Sequence, residues 1–204
     1  LETNAQKIGL LLDRMETSYL FGNDVRKDGE LTFDDNCFNN IIIQTFVNLN
    51  LLKTTDNPNG FIDENKAKNT DWTIYSWCDE YITTHKSELV KLVQERLKRG
   101  QNVHNTSDVI AEYKSQAYAM FKQRMNPLAG GSVDLFLTGD LQRFLTIEKQ
   151  STNQFKIYSK DEKYKMLGNK YGFEQFGLTK EQHEELTYEL LLNVYNKIFE
   201  KILK

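Results

Sequence analysis

Residues 126–148, NPLAGGSVDLFLTGDLQRFLTIE, constrain the fold more than any other stretch of the chain. Proline at 127 removes a backbone donor and biases Asn126 away from the helical region, so a helix arriving from the N-terminal side must end there. Gly130 and Gly131 let the chain turn through conformations that other residues resist. An apolar run follows and is interrupted at Thr138-Gly139. Beyond it Leu141, Arg143, Leu145 and Ile147 alternate with their neighbours, which predicts a strand over 141–148. A second alternating segment over 154–159, with Phe155, Ile157 and Ser159 on one side, predicts the other arm of a hairpin turning at 150–153.

Around that hairpin the periodicity is helical. Ile8, Leu11, Leu12, Met15 and Tyr19 predict a helix over 5–20 behind a cap at Asn4, and Phe38, Ile41, Ile42, Thr45, Phe46 and Leu49 predict one over 34–52, where NLNLLK also reads as a strand. Turn formers with Pro58 and Gly60 fill 54–70 and suggest a boundary or exposed loop. From 71 to 99 one stripe, Ile74, Trp77, Cys78, Tyr81, Ile82, His85, Leu89, Leu92, Val93 and Arg96, predicts a single long helix ending at Gly100. Ser115 is placed to cap a helix carrying Tyr118, Phe121 and Met125. Thr179 and Gln182 have capping-box spacing before a last helix striped by Leu186, Leu190, Leu191, Val194, Ile198, Phe199 and Ile202. These elements predict an α+β fold, helix-dominated, with a small antiparallel sheet and long helices flanking it on both sides. Residues 1–70 read as a helical appendage and 71–204 as the main domain.

The chemistry-bearing residues are dispersed. The 204 residues carry a net charge of −3, are 39% hydrophobic and 27% charged, and so hold enough apolar material for a core but no overall field that favours nucleic acid. The apolar runs fall short of the roughly 20 residues a membrane helix needs, so no membrane partner is expected. Cys37 and Cys78 are too few for a disulfide framework or a cysteine zinc site, and Cys78 lies on an apolar stripe as a buried thiol would. His85, His104 and His183 sit in three different elements without metal-binding spacing. From Asp24 to Asp35 the chain partly mimics a calcium loop, but Arg26 stands where an oxygen ligand is needed and Asp35 replaces the bidentate Glu; a polar turn between helices is the better reading. Gly130, Gly131 and Gly139 lack the G-K-[ST] and G-x-G-x-x-G contexts of nucleotide loops, and no G-x-S-x-G elbow exists. Asp134 and Asp140 alone predict little. Lysines among the aromatics of YKSQAYAMFKQRM and KDEKYKMLGNKYG read as snorkelling side chains. No catalytic centre and no cofactor are expected.

The segment YKSQAYAMFKQRMNPLAGGSVDLFLTGDLQRFLTI resembles the tail-completion and head-tail-connector proteins of tailed bacteriophages and prophages, in which a helix leads to a T-G-x-L turn that opens a strand. FKIYSKDEKYKMLGNKYGFEQFGLT and the helix after it resemble the same family's second strand, tyrosine-glycine element and short apolar patch. The likeness covers residues 71–204. Thr138, Gly139 and Leu141 match the turn, Tyr171 and Gly172 the aromatic-glycine element, and Phe176 to Leu178 the patch; residues 1–70 have no counterpart, and the approach to the turn is longer than usual.

The resemblance implies a virion structural protein and not an enzyme. It would be a homo-oligomeric ring subunit at the head-tail junction or tail end, contacting portal, adaptor or tail-tube proteins, with DNA passing through unread. It would reside in the virion, and in the host cytoplasm during assembly. Asn126, Pro127, Gly130, Gly131, Asp134, Leu137, Thr138, Gly139, Leu141, Tyr171, Gly172, Phe176 and Leu178 would then belong to contact elements, with the hairpin at a subunit interface. An alternative from another class is a phage- or plasmid-encoded regulator that binds a host protein through the helical appendage.

Overall fold

The structure, a computed structural model, describes residues 30–32, 52–60, 62–63, 74–136, 139–151 and 154–202. The helix expected over 5–20 lies outside the described residues, as does that expected over 34–52 except for Leu52, which is in a strand; Cys37, Leu137, Thr138 and the carboxylates Asp24, Asp28 and Asp35 lie outside them too. The fold is α+β and helix-rich, with small sheets. The chain divides into two compact units: Leu1–Asn23, Phe33–Tyr81 and Glu184–Lys204 form the first, and Asp24–Thr32 with Ile82–His183 the second. Residue 70, the expected boundary, falls inside the first unit.

The second unit is built on an antiparallel sheet of β1 (Glu30–Thr32), β4 (Leu145–Ser151) and β5 (Gln154–Ser159) in the order β1-β5-β4. The expected hairpin is present, with Leu145 opposite Ser159 and Ile147 opposite Ile157. Alternation explains it: Leu145, Ile147, Phe155, Ile157 and Ser159 all turn inward, as a sheet with one buried face requires. β1 was expected to be part of a polar turn; instead Leu31 pairs with Phe155 and the segment completes the sheet.

The strand expected over 141–148 starts late. Asp140–Arg143 forms one helical turn, α4, and only Leu145 begins β4. Gly139 adopts φ 83°, a left-handed conformation, and its carbonyl accepts from Arg143 N at 2.8 Å. The Asp140 carboxylate pairs with the Arg143 guanidinium one turn on, a spacing that favours helix over strand. The described part of the T-G-x-L element, Gly139 to Leu141, therefore opens a helical turn rather than a strand.

The helix expected over 71–99 is also two helices in the described residues, α1 (Ile74–Thr84) and α2 (Lys86–Lys98), parted at His85 with φ −96° and ψ 12°. Thr83 and Thr84, β-branched and weak helix formers, precede the break. α2 packs on β4 with Leu89, Val90, Val93 and Leu97 buried and ends at Gly100 as expected. Leu92, placed on the inward stripe, is turned out at 36% exposure.

Arg96, on that stripe, is buried without a carboxylate. Its guanidinium donates to the carbonyls of Gln101 (2.8 Å), Gly177 (3.2 Å) and Gln175, so it ties α2 to the tight turn Phe173–Phe176. Burial lowers it to about 10, leaving it a cation at neutral pH. Helix α5 (Tyr164–Tyr171) leads into that turn, and Tyr164 meets the rings of Phe176 and Phe173 edge-on at 4.8 and 5.4 Å.

In the first unit β2 (Leu52–Lys53) and β3 (Ile62–Asp63) pair in parallel, so residues 54–60 join two strands of one unit, with Thr55, Asp56, Pro58 and Asn59 exposed as in the loop reading. Thr54 and Asn57 close this connection with reciprocal backbone bonds. The final helix α6 (Lys180–Ile202) begins with the expected capping box: Gln182 N donates to Thr179 Oγ1 at 3.2 Å and Thr179 N to Gln182 Oε1 at 2.9 Å. Leu186, Leu190 and Val194 are buried along it, as are Trp77 and Cys78 on α1, and Lys197 pairs with Glu80.

Candidate functional site

Helix α3 (Gln116–Met125) is capped as expected: Tyr118 N donates to Ser115 Oγ at 3.4 Å. It ends at Asn126, and a tight turn over Pro127–Ala129 leads to Gly130 and Gly131 at φ 60° and 90°. Its orientation is the reverse of what its amphipathic stripe suggests. Tyr118, Phe121 and Met125 are 43%, 45% and 52% exposed, while Lys122 is buried. Met120 and Leu128 extend the exposed apolar surface.

The cause is an acid in the apolar run that follows. Asp134 is fully buried, and a buried carboxylate needs a cation and hydrogen bonds. Lys122 Nζ supplies the cation at 2.7 Å and also donates to the carbonyl of Phe136. Asn126 Nδ2 donates to Asp134 Oδ2 at 2.8 Å and to the carbonyl of Lys98 at 2.6 Å. Phe136 N donates to Asp134 Oδ1 at 3.1 Å, closing a turn that holds Leu135 at φ 49°. Gln142 joins from the next element, donating to the Asp134 carbonyl at 3.3 Å and accepting from Gln94 at 2.7 Å through its own carbonyl. With Lys122 committed to this network, the rest of α3 faces out.

Above the ion pair lies a cavity of about 760 Å³ walled by Tyr113, Tyr118, Lys122, Leu135, Phe136, Gly139, Leu141, Met166 and Tyr171. Burial pushes the Tyr113 hydroxyl well above its ordinary range; Asp134 and the rings of Tyr118 and Tyr171 add to this, and a backbone hydrogen bond from Asp134 opposes it. Glu112, Lys114, Asp140, Asp161, Lys163 and Lys170 also line it, so the cavity combines aromatic and apolar walls with charged groups of both signs.

The residues expected at contacts part into two sets. Gly139, Leu141 and Tyr171 line the cavity, Asn126 and Asp134 form the network beside it, and Pro127 and Gly130 are exposed at the foot of α3. Gly131, half-buried, lies against α3, where an added Cβ would stand 3.2 Å from the Ala119 carbonyl. Gly172 adopts φ 97° at the end of α5. Phe176 and Leu178 are instead core residues at 0% and 1% exposure, so they shape the unit from within and offer no outer surface. The hairpin's edge is a poor pairing surface: β4 is at the sheet edge among the described residues, but its register shifts between Lys149 and Ser151 and its last residues are exposed and polar. The outward apolar face of α3 was missed by sequence reading; its signal was Asp134 within SVDLF, which demanded a buried cation that the nearest helix could supply.

His85, His104 and His183 stay in separate elements, and among the described residues no group of three or more His, Cys, Asp or Glu is placed to hold a metal ion. No described helix is long and apolar enough to cross a membrane. Cys78 is a free, buried thiol, pushed up to about 12 by burial and by Asp79. Comparison with known proteins gives no match to a family model, to a curated protein or to a solved structure.

Proposed function

We propose that the chain is a structural subunit of a tailed-phage virion, self-associating into a ring at the head-tail junction or tail end around the DNA passage, and not a catalyst. The observation that carries the reading is the outward apolar face of α3: Tyr118, Phe121 and Met125 are exposed while a charged pair occupies the interior beneath them. Contiguous apolar surface of this kind marks protein contact sites. The T-G-x-L and Tyr-Gly elements that resemble connector and tail-completion proteins supply the phage assignment. The burial of Phe176 and Leu178 and the irregular edge of β4 favour a contact at the helix over one at the hairpin.

The test has two arms. Sedimentation and electron microscopy of the purified protein should show rings or short arcs whose population rises with concentration. Mass spectrometry of virions purified from cells carrying the parent genome should find the chain in stoichiometric amounts. Absence from the virion together with a strict monomer in solution would overturn the reading. A stable one-to-one complex with a host protein would favour the regulator instead.

A further inference from the structure

The proposal of self-association leaves open which surface receives α3, and the charge distribution supplies an answer. α3 contains no Asp or Glu. Its exposed apolar residues are flanked by Lys114 and Arg124, both exposed, and Lys165 and Lys170 are exposed on α5. The face is therefore apolar and basic. Such a face is best met by carboxylates whose methylene stems cover aromatic rings while their heads pair with Lys and Arg.

The same chain carries the complement. Every described exposed position of α6 between 181 and 200 is Glu or Asn, with Glu185, Glu189, Asn196 and Glu200 among them. At about 100° per residue these four fall on one side of the helix, opposite buried Leu190 and Val194. The stripe from Glu185 to Glu200 runs about 22 Å at 1.5 Å per residue, longer than the roughly 15 Å of α3, so α3 can lie along it.

We infer that the apolar, basic face of α3 in one copy docks on the acidic outer stripe of α6 in a second copy. This rests on the self-association proposed above. The contact joins unlike surfaces, so each copy keeps one free α3 and one free α6. Repetition then yields an open series or, where the rotation closes, a ring.

Charge reversal tests the contact. Arg124→Glu is one variant and Glu185→Lys with Glu189→Lys the other. All positions are exposed, and unchanged thermal melts will show that both variants fold. Sedimentation at low salt should show self-association weakened about tenfold or more in each variant alone, the scale expected for charged interface pairs. It should be restored in an equimolar mixture, where every α3 finds an α6 of opposite charge. Wild-type association that survives the α6 reversal would overturn this docking mode while leaving self-association standing. Loss in both variants without restoration on mixing would overturn direct pairing. A wild-type protein that stays monomeric at every concentration would overturn the docking and the self-association together.

Discussion

Lys122 Nζ stands 2.7 Å from Asp134 Oδ1 with 3% and 1% of the two side chains exposed, and this pair fixes the orientation of α3. Removing one partner leaves an uncompensated buried charge. Lys122→Met or Asp134→Leu alone should cost about 3–5 kcal/mol, whereas the double substitution should recover most of the loss. Urea unfolding of the three variants provides the check; equal losses in single and double variants would contradict the pair's role.

The outer face of α3 should behave in the opposite way. Phe121→Ser and Met125→Ser remove apolar surface that the subunit does not bury, so unfolding free energy should move by no more than about 0.5 kcal/mol. Self-association should fall at the same time. A drop in stability of several kcal/mol would mean that these residues are packed within the subunit.

Sequence reading reached the parts of the fold governed by local rules. The capping box at Thr179, the Ser115 cap, the stop at Asn126 and the alternating arms of the hairpin all follow from neighbours a few residues apart. It failed where a distant partner outweighed a local pattern. Tyr118, Phe121 and Met125 have the spacing of a core stripe, but the buried charge of Asp134 outranks their burial because a carboxylate in the interior costs more than a few exposed rings. The strand placed at Leu141 gives way to a helical turn that Gly139 opens in its left-handed conformation and in which Asp140 and Arg143 pair. Resemblance places Phe176 and Leu178 among the contact elements, and only the folded chain brings Tyr164 and the rest of the core around them.

Gly168 illustrates a close approach within a helix. A Cβ there would lie 2.3 Å from the ring of Phe173. Alanine is the better helix former by about 1 kcal/mol, yet the overlap should outweigh this with an overpacking cost of about 1–3 kcal/mol. Gly168→Ala should therefore lower the melting temperature, and adding Phe173→Ala should relieve the clash. The melting temperatures of the single variants and the pair decide the point.

Alkaline pH should weaken the fold. Burial, with Asp79 adding, raises the Cys78 thiol from an ordinary 9.0 to about 12. The folded state then holds this proton where the unfolded state has released it, so the contribution is intact below pH 9 and lost as pH climbs toward 12. Tyr113 is shifted in the same direction. Unfolding free energy measured from pH 8 upward should decline more steeply in wild type than in Cys78→Ala, and a maleimide should label Cys78 at neutral pH only once the protein unfolds.

The inverted helix has a consequence for the history of such a chain. Because Lys122 and Asp134 set which side of α3 is buried, the exposed side chains at 121 and 125 are not part of the core of the second unit. They can change with the surface they meet, one residue at a time, without passing through unfolded intermediates. A docking face uncoupled from folding in this way lets a subunit exchange partners over generations while its scaffold stays the same.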